Sequence, residues 1–127
     1  MTRGRRVQQD FSSRAESVSE ARRWARAACN DLVGSERCGD ITLMVSELVS
    51  NAVIHGAGPI RVSMAASERR VSLAVADSGS GAVVKPAFSL TRECGRGLRI
   101  VEALSDDWGF EWIPGDGTVV WSELEMA

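Results

Sequence analysis

Apolar and polar residues follow one another along the chain with two different periods, which divide it into predicted helices and strands. The short run from Val7 to Phe11 can pair as an edge strand. After it, apolar residues recur every three or four positions, which is the spacing of one helix face. Ser12 or Ser13 is a suitable N-cap for this helix, and Gly34 is its expected end. The apolar stripe of the helix consists of Val18, Ala21, Ala25, Ala28 and Leu32.

A second helix is predicted from about residue 39 to His55. Asp40 is placed to act as its N-cap, and Gly56 as its C-terminal stop. Its apolar stripe consists of Ile41, Met44, Val45, Leu48 and Ala52. Both helices therefore present one face to a core and the other to solvent. A third, short helix is indicated after Gly97 by the spacing of Leu98, Val101 and Leu104.

Two β-hairpins are predicted where the apolar period changes to 2. The first turns at residues 67–70, and its strands carry alternating apolar side chains at Ile60, Val62, Met64, Val71, Leu73 and Val75. The second turns at residues 114–117 and joins strands at 108–113 and 118–124. Between the hairpins, residues 78–94 form a long loop, of a length that is usually functional or disordered.

The order of these elements is strand, two helices, two strands, one helix and two strands. Helices on one face of a mixed, mostly antiparallel sheet bury every apolar stripe, so we expect an α+β fold, a two-layer α/β sandwich. The 127 residues suit a single domain. We assign this domain to residues 7–125 and expect residues 1–6, which include three arginines, to be a flexible basic tail.

Charge and cysteine usage narrow the classes of function. A net charge of −2 argues against general binding to nucleic acids or to membrane surfaces. No apolar run approaches the ~20 residues of a membrane span, and residues 1–10 lack the apolar core of a signal peptide. We therefore expect a cytoplasmic protein. Its cysteines have no zinc-like spacing and are expected to be free thiols in that reducing compartment: Cys29, Cys38 and Cys94.

Three groups of residues are candidates for chemistry. Glu47, Asn51 and His55 lie four residues apart and share one face of the second helix, where a carboxylate and an amide can share a cation. Asp77 has the parity of the apolar residues of its strand, and a carboxylate on that side needs donors such as an adenine amino group. The third group, residues 95–98, opens the third helix, where exposed amides suit an anion such as phosphate.

Each group alone also has an ordinary explanation: a solvent-exposed helix face, an Asx turn that ends a strand, and a flexible helix start. Together, their order and spacing resemble the histidine-kinase-like ATPase (GHKL) family, and within it the small anti-sigma-factor serine kinases. The matching motifs are Glu47-xxx-Asn51-xxx-His55, Asp77-x-Gly79-x-Gly81, Gly95-x-Gly97-Leu98 and Gly117-Thr118. The resemblance extends from about residue 11 to residue 124.

This resemblance implies that the ligands are ATP and Mg²⁺. Asn51 would ligate the Mg²⁺ that bridges the phosphates, and Glu47 would be the general base or orient the attacking group. His55 would lie near the phosphates or the ribose. Asp77 would accept a hydrogen bond from the adenine amino group, with Thr118 completing the adenine edge. The loop between positions 81 and 95 would be the ATP lid, and further nucleotide contacts would come from Gly79, Gly81, Arg92, Gly95, Arg96, Gly97 and Leu98.

The function that the resemblance implies is an anti-sigma factor, expected as a homodimer. It would bind a sigma factor and phosphorylate a serine of a STAS-type anti-anti-sigma partner. A second hypothesis is a nucleotide-responsive binding module with little or no kinase activity, in which ATP orders the lid and switches partner affinity. A third is a protein-interaction domain that has lost nucleotide binding. Glu47 favours the first hypothesis over the second, because a pure binder needs no base.

Overall fold

The computed structural model describes residues 5–34, 37–79, 92–113 and 117–126. Its elements in chain order are β1 (Arg5–Phe11), α1 (Glu16–Val33), α2 (Cys38–His55), β2 (Ile60–Ala66), β3 (Arg70–Asp77), α3 (Arg92–Leu104), β4 (Asp107–Ile113) and β5 (Gly117–Glu125). The predicted order of elements is confirmed. β1 begins at Arg5, which places two residues of the segment assigned to a tail inside the sheet.

The strands form one sheet in the order β1-β2-β3-β5-β4. Every pairing among the described strands is antiparallel, so the parallel component expected of a mixed sheet is absent from this part of the chain. β1 lies at one edge of the sheet, as its sequence predicts. Its partner is β2. β3 lies in the middle, and its C-terminal end is flanked by the first residues of β2 and β5.

The helices cover one face of this sheet, which confirms the α+β two-layer sandwich. Alternate residues of β2, β3 and β5 are buried against the apolar stripes of the helices. α2 is the central helix, since it packs on α1, α3, β2 and β3. The largest fully buried side chains come from both layers and include Ile41, Met44, Leu48, Ile60, Met64, Leu73, Val101 and Leu124.

The starts of the first two helices differ from the prediction. α1 begins at Glu16 without a side-chain cap, because a turn separates it from β1. The hydroxyl of Ser17 donates to the backbone carbonyl of Ser12, so Ser12 is joined to the helix through its main chain and not as an N-cap. α2 begins at Cys38, and Asp40 lies within its first turn instead of capping it. The ends predicted at Gly34 and Gly56 are confirmed.

α3 begins at Arg92, earlier than the predicted start after Gly97. Gly95 therefore lies within the first turns of the helix, although glycine is a poor helix former. The physical reason is tertiary packing, because Leu98 and Val101 are buried in the core that α3 shares with α2. Packing of this kind outweighs local propensity.

The expectation of free thiols is wrong for two of the cysteines. Cys29 of α1 and Cys38, the first residue of α2, form a disulfide with their Cα atoms 5.7 Å apart. The connection from Gly34 to Arg37 is short, so α2 folds back along α1 and position 38 comes to lie opposite position 29. Pairing of this kind depends on the geometry of the helix hairpin, which cysteine spacing in the sequence does not reveal.

Candidate functional site

Asp77 ends the central strand β3, on the same side as the buried residues of that strand. Its side chain is half-buried, and the backbone N–H of Gly79 donates to its Oδ1 atom at 2.6 Å. The backbone N–H of Ala57 donates to the same carboxylate. Burial raises the pKa of the Asp77 carboxyl above its ordinary value, and the two hydrogen bonds offset part of that rise. The parity argument is confirmed, since Asp77 faces the helix side of the sheet.

Three glycines from different parts of the chain surround Asp77. A Cβ atom at Gly56 would lie 2.5 Å from Asp77 Cγ, and one at Gly79 would lie 2.8 Å from Asp77 Oδ1. Gly117, at the start of β5, has a φ of +111°, and a Cβ atom there would collide with the Asp77 carbonyl oxygen. The absence of side chains thus lets three backbone segments meet at one carboxylate.

Thr118 is the cross-strand partner of Asp77 between β3 and β5. Paired residues of an antiparallel sheet lie on the same face, so the hydroxyl and the carboxylate are neighbours. The Thr118 side chain is only 2% exposed, and within the described ranges its Oγ1 atom has no hydrogen-bond partner. A buried hydroxyl without a partner is unfavourable by about 1–3 kcal/mol. A ligand with a polar edge beside Asp77 would supply that partner.

Glu47 and Asn51 lie one turn apart on α2, and both side chains are half-buried. They border the buried stripe of this helix. His55 is the last residue of α2, and its side chain lies outside the described residues. Gly56 follows directly and contacts Asp77, so the C-terminal end of α2 adjoins the end of β3. Asn51 and Glu47 lie five and nine residues before Gly56, roughly 8 and 14 Å along the helix axis from it. That they act together with Asp77 and Thr118 stays a prediction.

The other predicted nucleotide contacts fall into two sets. Outside the described residues lie Gly81 and the side chains of Arg92 and Arg96. Gly95 and Gly97 lie in the first turns of α3, next to its N-terminus. Leu98 is 2% exposed and belongs to the core, through which α3 packs on α2. A contact between its backbone and a nucleotide stays a prediction.

The sequence motifs do not include two members of this site. Ala57, whose N–H donates to Asp77, lies in a connection without a functional motif of its own. Gly56 was assigned only the role of a helix stop, although it also makes room for the Asp77 carboxylate. The cluster of small residues around 56–58 was the one available signal, because such clusters permit close backbone approach.

The donor set of this region fits a magnesium ion that is held mainly by phosphates. Among the described residues there is no group of three or more His, Cys, Asp or Glu side chains arranged for a metal ion. Mg²⁺ does not need one, because it is typically held by one or two side-chain oxygens together with phosphate oxygens and water. Asn51 and Glu47 offer such oxygens one turn apart.

None of the helices in the described ranges combines the length and the apolarity that a membrane span requires.

The fold and this site together define a class of protein. The chain belongs to the family of the histidine kinase-like ATPase domain, whose profile matches residues 11–122. The match extends from the end of β1 into β5 and includes the α2 face, Asp77 and Thr118. The family assignment made from the motifs is thereby confirmed.

Within this family, the chain is similar to proteins named anti-sigma F factor. The one from Pasteuria penetrans is 33% identical over 130 residues, which cover 91% of this chain and 87% of the relative. The one from Thermoanaerobacter sp. (strain X514) is 30% identical over 124 residues, which cover 87% of this chain and 87% of the relative.

Solved structures share the fold. The structure of the RsbU and RsbW domains of Rv1364c from Mycobacterium tuberculosis matches 94% of this chain with a TM-score of 0.72 at 22% identity. This chain covers 32% of that larger one. The histidine kinase AdeS from Acinetobacter baumannii matches 96% of this chain with a TM-score of 0.60 at 18% identity. Identities this low establish the common architecture alone.

Proposed function

We propose that this protein is an ATP-binding anti-sigma factor that holds a sigma factor and phosphorylates a serine of a STAS-type anti-anti-sigma protein. The observation that carries the proposal is the pair of Asp77 and Thr118. The half-buried carboxylate of Asp77 adjoins the buried Thr118 hydroxyl, which has no partner among the described residues. A glycine cradle, formed by Gly56, Gly79 and Gly117, surrounds Asp77. The names of the relatives support a sigma factor as one partner, and the STAS-type partner follows from the resemblance of the motifs alone.

Asp77 and Thr118 suit the edge of an adenine ring. The carboxylate of Asp77 accepts a hydrogen bond from the exocyclic amino group, and the Thr118 hydroxyl is free to donate to a ring nitrogen or to a bridging water. Guanine carries a carbonyl oxygen where adenine carries the amino group. Because a carboxylate repels that oxygen, the site is expected to select ATP over GTP.

Glu47, Asn51 and the start of α3 suit the phosphate end of the nucleotide. Asn51 would hold the Mg²⁺ through its amide oxygen, and backbone amides at the N-terminus of α3 would face the phosphates. Mg-ATP, when bound, supplies the phosphoryl group and the charge neutralisation that its transfer requires. Glu47 would orient the serine hydroxyl of the partner and take up its proton on a carboxylate oxygen.

A nucleotide-responsive binding module without kinase activity is the second candidate. It is supported by the name of the relatives, anti-sigma F factor, which specifies an anti-sigma activity and no transfer reaction. In this form, Mg-ATP would order the chain around the site and thereby alter affinity for the sigma factor. A homodimer and a cytoplasmic location complete the proposal, and both are inferred from the family.

Phosphoryl transfer is the step that separates the two candidates. The protein is incubated with γ-labelled ATP and each STAS-type protein of the source cell, and labelled serines are identified by mass spectrometry. We expect one partner to be labelled, and Glu47→Gln to lower the rate at least about 100-fold while ATP affinity stays within about threefold. Glu111→Gln, an exposed carboxylate on β4, is the matched control and should keep the rate.

Two results would contradict the kinase. One is ATP binding without any labelled partner, which would leave the binding module. The other is undiminished transfer by Glu47→Gln, which would remove Glu47 from the reaction. Absence of ATP binding in the wild-type protein would reject both candidates.

A further inference from the structure

The junction between α1 and α2 contains a second chemically active group, remote from the nucleotide site. Cys29 and Cys38 are bonded there, at the end of α2 opposite to Gly56. We propose that these two cysteines are a reversible dithiol–disulfide pair and that the junction is a site of redox modification. The disulfide locks the last turns of α1 to the first turn of α2, and reduction releases them.

The surroundings of the sulfurs accommodate both states. In the reduced state, the Cys38 thiol can donate a hydrogen bond to the carbonyl oxygen of Gly34, since Sγ lies 2.9 Å from that oxygen. Breaking the disulfide therefore does not leave this thiol without an acceptor. Cys29 is fully buried, whereas Cys38 is 7% exposed, so an incoming thiol or disulfide reaches Cys38 first.

The oxidation that closes the lock is a thiol–disulfide exchange with an oxidised low-molecular-weight thiol, RSSR. The Cys38 thiolate attacks one sulfur of RSSR, which forms a mixed disulfide and expels RS⁻. The Cys29 thiolate then attacks Cys38 Sγ, which forms the Cys29–Cys38 bond and expels a second RS⁻. The two cysteines lose two electrons and two protons, and RSSR becomes two RSH. The reverse sequence with excess RSH opens the lock.

The disulfide joins two helices, α1 and α2, that contact each other at more than one level along their length. Arg22 of α1 donates to Ser46 Oγ of α2 at 2.9 Å, two turns further from the connection. Because 22 faces 46 and 29 faces 38, the helices run antiparallel, and the disulfide secures the end at which the chain turns. α2 is 18 residues long, so this end lies roughly 27 Å from Gly56. The released state is therefore expected to loosen the junction without altering the Asp77 site.

Peptide mapping tests the reversibility of the bond. Trypsin cuts after Arg26, Arg37 and Arg61, so Cys29 and Cys38 fall on separate peptides, 27–37 and 38–61. After incubation of the folded protein with oxidised glutathione and quenching with iodoacetamide, we expect these peptides to be linked. Millimolar dithiothreitol, added to the folded protein, should separate them and yield both in alkylated form. Alkylation of both cysteines after the oxidant, or a link that survives dithiothreitol, would overturn the proposal.

Thermal unfolding and hydrogen exchange test the consequence. Oxidised protein should melt about 10 °C above reduced protein, because the closed loop restricts the unfolded chain. In the folded reduced protein, amides of residues 29–33 and 38–42 should exchange at least tenfold faster. Cys29→Ala should melt at the same temperature under both conditions, whereas Cys94→Ser should keep the difference. Equal melting of oxidised and reduced wild type would reject the lock, and none of these readouts requires a nucleotide.

Discussion

The two ends of α2 adjoin different sets of polar groups. At the N-terminal end, the Arg37 guanidinium donates to the backbone carbonyls of Leu104 and Glu125, each at 3.1 Å. Leu104 is the last residue of α3 and Glu125 the last residue of β5, so Arg37 joins the ends of both elements to the start of α2. At the C-terminal end, Asp77 is half-buried with a raised pKa, and Thr118 Oγ1 has no partner in the described part of the chain.

This contrast separates a structural contact from a binding site. The Arg37 end satisfies its carbonyls with a side chain of the protein itself, so it needs no ligand. The Asp77 end keeps a carboxylate and a hydroxyl at a disadvantage that a bound molecule would remove.

The largest effect is expected at the glycine cradle. Gly117→Ala requires a side chain at a φ of +111° and against the Asp77 carbonyl oxygen, so we expect a loss of roughly 3 kcal/mol or more in unfolding free energy. Gly39→Ala is the matched control, because a Cβ atom there has nothing within 4 Å and the residue lies in a helix. It should be neutral or stabilising by up to about 1 kcal/mol. Chemical denaturation measures the unfolding free energy of both variants. Equal losses would contradict the close contact between Gly117 and Asp77.

The next effect concerns nucleotide binding. Asp77→Asn replaces the acceptor of the adenine amino group with an amide, so affinity for Mg-ATP should fall about 100-fold. Since burial disfavours the charged carboxylate, the unfolding free energy should not fall at neutral pH. Isothermal titration measures the affinity for Mg-ATP, and chemical denaturation measures the unfolding free energy. A variant that keeps its affinity, or that unfolds together with losing it, would mean that Asp77 has a structural role.

The raised pKa of Asp77 also predicts how stability depends on pH. The folded protein binds this proton more readily than the unfolded chain, whose carboxyl has the ordinary value of 3.8. The stability due to this proton is therefore complete below 3.8 and is lost as the pH rises through the folded pKa. Over that window the wild type should lose stability relative to Asp77→Asn, and above it the difference should be constant. Nucleotide affinity should have the opposite sign, because binding needs the ionised acceptor.

The sequence predicted the fold well because its periods are determined by burial. The hairpin of β2 and β3 was predictable because apolar and polar residues alternate along both strands. One face of this antiparallel pair is covered by helices, so every second side chain is buried. Helix ends at Gly34 and Gly56 were predictable from glycine alone. Helix starts were not, since several polar residues competed for the cap and tertiary packing extended α3 to Arg92. The disulfide depended on the turn of the helix hairpin, to which no local pattern corresponds.

The candidate site was predictable only as separate motifs. The parity of Asp77 and the spacing of Glu47 and Asn51 are local properties, so they were visible along the chain. The contact between the C-terminal end of α2 and the last residue of β3 is a consequence of how the layers pack, so no local pattern predicts it. The same packing brings the backbone N–H of Ala57 to Asp77. The resemblance to a family linked the separate motifs into one candidate site, which the spacing within each motif did not do.

A smaller effect is expected at the other end of α2. Arg37→Ala removes the donor for the carbonyls of Leu104 and Glu125, and the unfolding free energy should fall by about 1–2 kcal/mol. Arg37→Lys should lose a part of that amount, because an ammonium group lacks the fork that reaches both carbonyls. Affinity for Mg-ATP should stay within about twofold in both variants. A tenfold loss of affinity would mean that the two ends of the helix are not independent.

The smallest effect compares one chemical change in both regions. Thr42 of α2 is also buried, and like Thr118 its Oγ1 lacks a partner among the described residues, but it lies 14 residues before Gly56, roughly 21 Å along the helix. Replacing either threonine with valine removes the unpartnered hydroxyl at nearly constant volume, so both variants should gain up to about 1 kcal/mol in unfolding free energy. Only Thr118→Val should also bind Mg-ATP more weakly, by about fivefold, as titration would measure. Loss of Mg-ATP affinity in both variants, or in neither, would contradict the assignment of the Thr118 hydroxyl to the binding site.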